Sequence, residues 1–578
     1  MEALTTTPDR LQENRFECRN GWYRLAIHCE SRRLPELSDL DWDGYRIVRF
    51  QTAPSRLHFA IFRGASFSEE VGESPTEEAL ERGVYWNDCL LISYDRTNGN
   101  CQILSNRAAS IPVFWTSDEG QTLVSNNMAW LGGRGGPVDR VAFAETLLWD
   151  VPLGERTFRK NIRQLPAGYR LLISSSGVRT QKAFALNIRP SSAGSSAVAP
   201  EEFARQGAAL NSRAVQRAVS RNSSLILPIS GGLDSRCILG SLTPLMRNCC
   251  RTVSFGQPGA LEIQYGRSVA ERCGVPWRSY ALNADHYTGA DLQETIRAGC
   301  GMTPLQHLHL SSALRQLPRG PSQVPIGFMG DPIAGADSLE KSDTVNADGA
   351  VAIMFRKAGL TAKAAAGLFG RETADEIAND IARIYRDATA ANPIEAFLEY
   401  YFIVERQSKL VTHIFNHLQW SGHGLGFPFM DGEWARFFLS LPPELRAGRT
   451  LFKRSLALQR PDLAGIPSTA DFATLDAAPL FQQGARFAAR NWNRICTLSQ
   501  RMSGYRYSLP NPFATELQGV VLRGPLKDQL ARSIGQLCES GLISDALAVY
   551  LKAERTYQHP WTGMRAISAA LCLEEEAL

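Results

Sequence analysis

The sequence predicts an α/β protein in two parts: a β-rich N-terminal domain, then a parallel-sheet α/β domain with helical additions. Three observations carry that expectation. Short apolar segments separated by Gly, Asn and Asp fill residues 16–184, as in a chain of short strands and turns. From residue 225 onward, strand-like and helix-like segments alternate, the pattern of parallel strands joined by crossover helices. Between the two, residues 187–200 are rich in Ser, Ala, Gly and Pro and read as a linker.

In the first part, residues 45–50, 57–62, 89–94, 102–104 and 122–125 read as strands, and Tyr94-Asp95-Arg96-Thr97-Asn98-Gly99 as a strand entering a hairpin turn. A helical run over about 201–220 leads into the second part. There Leu225-Ile226-Leu227-Pro228-Ile229 has strand length and ends in Ser230-Gly231-Gly232, after which residues 235–242 suit a helix. Strands follow at 251–255, 277–282 and 324–328, with helices at 261–273, 289–300 and 308–317. Residues 350–410 read as a helical lobe and 544–555 as a late helix. The expected division is 1–190, a linker at 191–200, and 201–578.

Composition narrows the function classes. With 578 residues the chain is long enough for two or more cores. A net charge of +4 is too mild to imply nucleic acid. Twelve cysteines occur without a Cys-x-x-Cys pair, so neither a zinc ribbon nor a disulfide framework is expected. The start at Met1-Glu2-Ala3-Leu4 lacks a signal-peptide profile, and no apolar run reaches about 18 residues. A cytoplasmic enzyme with no membrane partner is the expectation. His413 with His417 and His307 with His309 have ligand-like spacing but no third ligand near in sequence, and read as solvated or satisfied histidines.

The chemistry centres on Ile229-Ser230-Gly231-Gly232-Leu233-Asp234-Ser235. A strand that breaks at glycines and restarts as a helix brings backbone N–H groups and a helix N-terminus to an anion. Ser230 and Ser235 add hydroxyl donors, and Asp234 a carboxylate able to hold Mg²⁺ against phosphate oxygens. The pattern G-x-x-x-x-G-K-[ST] is absent, which argues against a P-loop enzyme. In a parallel sheet, nucleotides bind at the carboxyl ends of strands. Ile229, Ser254 and Phe255, and then Ile326 and Gly327, are therefore candidates for the nucleotide site.

The Ser-Gly-Gly-Leu-Asp-Ser string resembles the pyrophosphate loop of the asparagine synthetase superfamily. The resemblance extends through Asp95–Gly99, Arg107, Ile111-Pro112-Val113-Phe114-Trp115, Leu123-Val124-Ser125-Asn126 and Gln164-Leu165-Pro166-Ala167-Gly168, similar to that family's glutaminase half. It continues with Gly327-Phe328-Met329-Gly330-Asp331, Phe427-Pro428-Phe429-Met430-Asp431 and Lys453 in Leu451-Phe452-Lys453-Arg454. It implies a glutaminase-like (Ntn-type) domain followed by an ATP-pyrophosphatase synthetase domain, with ATP and Mg²⁺ as cofactors. Asp234 and Asp331 would be the metal ligands, and Lys453 the cation over the reacting centre. The family's glutaminase nucleophile is an N-terminal cysteine; Glu2 follows Met1 here, so the first domain is expected to be inactive as a glutaminase. Phe328 stands where asparagine synthetases carry a glutamate and β-lactam synthetases a tyrosine. The Gly-Phe-Met-Gly-Asp loop looks like that of lasso-peptide macrolactam synthetases. That subtype implies a precursor (core) peptide as substrate, with a leader peptidase and a leader-binding protein as further partners. A β-lactam synthetase-like cyclase and an amidotransferase using free ammonia are the alternatives.

Overall fold

The computed structural model describes residues 15–19, 22–28, 41–42, 45–63, 66–118, 121–128, 131, 136–188, 199–219, 224–257, 259–282, 305, 322–336, 346–410, 423–503, 509, 511–513, 526–552 and 560–573. The expected helices at 289–300 and 308–317, the four histidines, the start of the chain and most of the expected linker lie outside these residues.

The N-terminal strands are β1 (Arg15–Arg19), β2 (Trp22–His28), β3 (Asp41–Trp42), β4 (Tyr45–Ala53), β5 (Arg56–Phe62), β6 (Cys89–Asp95), β7 (Cys101–Ser105), β8 (Phe114–Asp118), β9 (Gln121–Ser125), β10 (Arg163–Gln164), β11 (Tyr169–Ser174) and β12 (Gly177–Lys182). They form two antiparallel sheets, ordered β1-β2-β9-β8-β10 and β12-β11-β7-β6-β5-β4-β3. Period-two alternation explains the layering. On β5, Phe59 and Ile61 enter the core shared with Leu25 and Val124 of the other sheet, while Ala60 and Phe62 turn to a second core. That second core is closed by Phe67, Val71, Leu80 and Val84 from the helices Ser66–Val71 and Glu77–Trp86. Thr76 caps the second of these by accepting from the Ala79 N–H at 3.2 Å. On the far side, Phe114 and Leu123 meet Phe143 and Leu147 of the helix Arg140–Trp149. Leu530, Leu547 and Ile567, from helices near the C-terminus, join that same core.

The second sheet system is wholly parallel: β13 (Ser224–Pro228), β14 (Cys250–Gly256), β15 (Trp277–Ala281), β16 (Ser322–Pro325) and β17 (Gly424–Gly426), in the order β15-β14-β13-β16-β17. β13 sits in the centre and reads as an unbroken apolar run because both faces are covered. The helices Pro200–Ala218, Leu233–Ser241, Leu261–Arg272 and Thr450–Gln459 supply that cover. The molecule is therefore mixed α/β, with a β-rich N-terminal region and a C-terminal parallel sheet. Among the described residues, no helix is long and apolar enough to cross a membrane.

Some expected elements are shifted. The strand expected at 324–328 is β16 and stops at Pro325, because Met329 takes a left-handed backbone (φ 66°) that opens the short helix Gly330–Ile333. Of the Ile111–Trp115 motif, only Phe114 and Trp115 lie in a strand, β8. The helical lobe is broken into separate helices and contains a π-helical stretch, Phe402–Gln407.

Candidate active site at the carboxyl edge of the parallel sheet

β13 ends at Pro228, and the chain turns through Ser230-Gly231-Gly232 into the helix Leu233–Ser241. Hydroxyls close the turn. Ser230 N–H donates to Ser235 Oγ at 3.1 Å, the two hydroxyls lie 2.9 Å apart, and Gly232 N–H donates to Ser230 Oγ at 3.1 Å. Gly231 is required by close approach, since a Cβ there would lie 2.6 Å from Thr469 Cγ2. The half-buried Glu262 carboxylate accepts from the Thr469 and Ser230 hydroxyls and from Gly231 N–H. Burial raises its pKa and those three donors oppose the shift. The loop thus gathers donors on an anion, the demand a pyrophosphate makes.

The remaining expected loop residues contribute mainly backbone. Ile229 and Leu233 are buried in the core. Ser254 Oγ donates to Ile229 O at 2.7 Å and accepts from Trp277 Nε1 at 2.9 Å, so its side chain is committed internally. Phe255 stacks on Tyr280 with ring centroids 5.6 Å apart. Ile326 N–H donates to Gly426 O at 2.9 Å.

The two expected metal-binding carboxylates come together. Asp234 and Asp331 are bridged by one guanidinium: Arg449 Nη2 pairs with Asp234 Oδ1 and Arg449 Nη1 with Asp331 Oδ1. The glycines of the 327–331 loop make this possible. A Cβ on Gly327 would lie 2.6 Å from Asp234 Cβ, and one on Gly330 2.8 Å from Asp234 Cγ. Burial pushes the Asp234 carboxyl up to about 7; Arg449 opposes this and the Asp331 charge adds to it. Asp331, whose side chain is 56% exposed, stands at the mouth. Arg449 has a left-handed backbone (φ 62°) and lies 4.6 Å over the Phe452 ring. A non-glycine residue held there marks a strained, over-determined position.

Lys453 lies four residues on, in the helix Thr450–Gln459 that begins just after Arg449. Its ammonium pairs with buried Asp471 at 2.9 Å. Asp471 belongs to the segment that walls the loop: Thr469 N–H donates to Gly231 O at 3.0 Å, and Arg236 donates to Ile466 O at 2.6 Å and Pro467 O at 2.7 Å. Thr469, Asp471, Glu262 and Arg449 lie outside the motifs that the sequence offers. Arg449 had one signal, its spacing of four from Lys453. Phe328 is buried and packs on Phe427 at 4.9 Å between ring centroids.

The residues fit ATP and Mg²⁺. Mg²⁺ is usually held by one or two carboxylates together with phosphate oxygens. Asp234 and Asp331 supply that pair, and Arg449, which bridges them here, balances one of their two charges. Among the described residues no cluster of three or more His, Cys, Asp or Glu side chains could hold a metal ion.

Comparison with known proteins agrees on the centre of this site. Residues 208–312 match the family model for asparagine synthase, and these include the whole Ser230–Ser235 loop. The match covers less than a fifth of the chain, the region around the loop and the centre of the parallel sheet. No curated protein matches the chain. Among solved structures, it overlaps a glutamine phosphoribosylpyrophosphate amidotransferase from B. subtilis in complex with ADP and GMP, at 8% identity and a TM-score of 0.16. That overlap covers 40% of this chain and 47% of the other. A second overlap, with an allosteric regulatory enzyme of purine biosynthesis, has 6% identity and a TM-score of 0.16, covering 44% and 64%. The chain thus spans about half of the first and under two thirds of the second, and similarity this loose carries no argument.

Proposed function

We propose that the chain is an ATP-dependent, AMP-forming amide ligase that closes a leaderless peptide into a lasso-type macrolactam. An Asp or Glu side chain of the peptide would be joined to its own N-terminal amine. The observation that carries ligase chemistry is the pair Asp234 and Asp331, drawn onto one cation beside the Ser230–Ser235 loop. The family match over 208–312 supports ATP-dependent amide-bond formation.

The substrate carboxylate attacks the α-phosphorus of ATP, the bond to the β-phosphate oxygen breaks, and pyrophosphate leaves into the loop's donors. The amine then attacks the acyl carbon, loses a proton to solvent, and AMP departs with the bonding pair. Asp234 and Asp331 would hold Mg²⁺, which supplies neutralisation of phosphate charge when bound. Lys453, a compact charge on a flexible stem, can follow negative charge as it builds on the reacting centre.

Phe328 supports the peptide amine over a small-molecule amine or ammonia. It is buried against Phe427 and has no ionisable group. An α-amine has an ordinary pKa of about 7.7–8.0, so a useful fraction is neutral near pH 7.5 and orientation matters more than a base. The test is AMP release from ATP with a peptide bearing a free N-terminus and an internal acid. The expected product is lighter by one water and resists α-amine labelling. An acetylated N-terminus should permit adenylation yet block closure. Efficient turnover of ammonia with aspartate, or of a small β-amino acid, with none of the peptide, would overturn the reading.

A further inference from the structure

Next to the paired carboxylates lies a cavity of about 790 Å³, with Asp331 on its wall. A volume of that size takes a multi-residue segment rather than a single small group. The helix Arg140–Trp149, the end of the helix Ala347–Lys357, the π-helical stretch Phe402–Gln407 and the C-terminal helices all contribute to it. Its charged lining is Arg356, Lys357, Arg406 and Arg565 against Asp150 and Asp331, four cations to two carboxylates. Asp150 is itself saturated, accepting from Arg565 Nε at 2.7 Å and from Arg406 Nη2 at 3.3 Å. Leu147, Trp149, Met354 and Phe369 give it apolar wall, beside the polar Gln407, Tyr550 and Thr562.

Two backbone irregularities meet at this wall. Asp150 has a left-handed backbone (φ 78°), and the π-helical stretch begins one residue after Tyr401. Single π turns and strained residues both concentrate at functional sites. Tyr401 adds the sharpest observation. It is 3% exposed, it lines the cavity, and among the described residues its buried hydroxyl has no hydrogen-bond partner. A buried hydroxyl with no acceptor is costly, and it is tolerated where a ligand completes it. Burial also raises its pKa, so it stays a donor at any working pH.

We propose that this cavity is the acyl-donor pocket: it takes an apolar peptide segment carrying one acidic side chain, whose carboxylate is received by the Tyr401 hydroxyl and the Arg406 guanidinium on the approach to Asp331. This rests on the ligase reading above and adds the place and the recognition. A guanidinium and a phenol together offer a planar carboxylate two donors in directions that fix its orientation. Both residues are positioning residues, expected to act on peptide binding rather than on ATP.

The experiment titrates the full chain, without ATP, with the capped peptide acetyl-Gly-Val-Asp-Val-Gly-amide and its asparagine twin by calorimetry. The aspartate peptide should bind roughly tenfold or more tightly than the asparagine one, the scale of a charged hydrogen bond. Tyr401→Phe should weaken it several-fold and Arg406→Gln by roughly tenfold. Tyr401→Phe removes a hydroxyl that has no partner, so its melting temperature should hold or rise; a structural role for that hydroxyl would lower it. In AMP-release assays both variants should raise KM for acid-bearing peptide and leave KM for ATP unchanged. Equal binding of the two peptides, or unchanged peptide KM in both variants while wild-type AMP release is normal, overturns the pocket and leaves the ligase reading standing. Tight, aspartate-selective binding in a protein that forms no AMP with any peptide does the reverse.

Discussion

The two halves of the molecule use their polar motif residues in opposite ways. In the N-terminal half they are spent on structure. Arg107 is fully buried and donates to Trp86 O and, across to the other half, to Met430 O at 2.9 Å. Gly168 (φ 74°) lets its own carbonyl accept from both Ala183 N–H and Phe184 N–H. In the C-terminal half the motif residues crowd charge onto one edge. Asp234, Asp331 and Arg449 form a cluster with a shifted carboxyl and a strained backbone. Arg107 spends its buried donors on backbone carbonyls, whereas two carboxylates of the parallel-sheet region share one cation beside the Ser230–Ser235 loop. Similar motif density thus has different chemical meaning in the β-rich region and in the parallel-sheet region.

The largest effect is expected from removing either carboxylate of the charged edge. Asp234→Ala and Asp331→Ala should each abolish Mg²⁺-dependent AMP formation and leave circular dichroism unchanged, since each removes one of two oxygen donors. Near wild-type AMP release by either variant would refute the assignment.

A second, smaller effect is expected at Lys453. Lys453→Met should lower turnover by about 10²–10³, the scale of losing one transition-state contact, with little change in ATP affinity. It also strands buried Asp471, whose other cation, Arg486, is 3.8 Å away. Stability should therefore fall by roughly 3–5 kcal/mol. Adding Asp471→Asn should restore much of the melting temperature and none of the turnover. Recovery of turnover in the double variant would make Lys453 a structural partner only.

What the sequence made legible follows the same division. The N-terminal strands could be read because alternation is local, and β4 to β7 fall where it put them. The Ser230–Ser235 loop and Asp331 could be read because each is a contiguous string. Arg449, Asp471, Thr469 and Glu262 could not. They reach the loop from separate stretches of chain, and nothing in an Arg-Thr-Leu or Ser-Thr-Ala string announces that. The end of β16 was misjudged for a related reason. Gly327 and Gly330 are there to admit the Asp234 carboxyl, a tertiary demand that no strand pattern shows.

On the structural side of the comparison, Arg107→Met should cost stability and not chemistry. The change leaves the carbonyls of Trp86 and Met430 without their donor, roughly 1–3 kcal/mol for each buried group. Burial already lowers the guanidinium to about 10, a sign of how far it is from water. Chemical denaturation should show the loss, while AMP formed per folded molecule stays constant. A variant of full stability and lost turnover would move Arg107 into the reactive class.

The smallest effect is expected at Phe328, the motif residue of the reactive half that behaves like one of the structural half. It is buried and packed against Phe427, so Phe328→Tyr places a hydroxyl in an apolar contact. Stability should fall by about 1–3 kcal/mol if that hydroxyl finds no acceptor. Turnover of a peptide with a free N-terminus should stay within about twofold, because the attacking α-amine is already partly neutral near its ordinary pKa of about 7.7–8.0. The pH profile separates the possibilities. With the α-amine as nucleophile, the rate of closure should rise through pH 7–8 as that amine loses its proton, and Phe328→Tyr should leave the profile in place. If the tyrosine instead raised turnover tenfold near pH 7, a missing base would be what limits this enzyme, and the orientation argument for the peptide amine would fail with it.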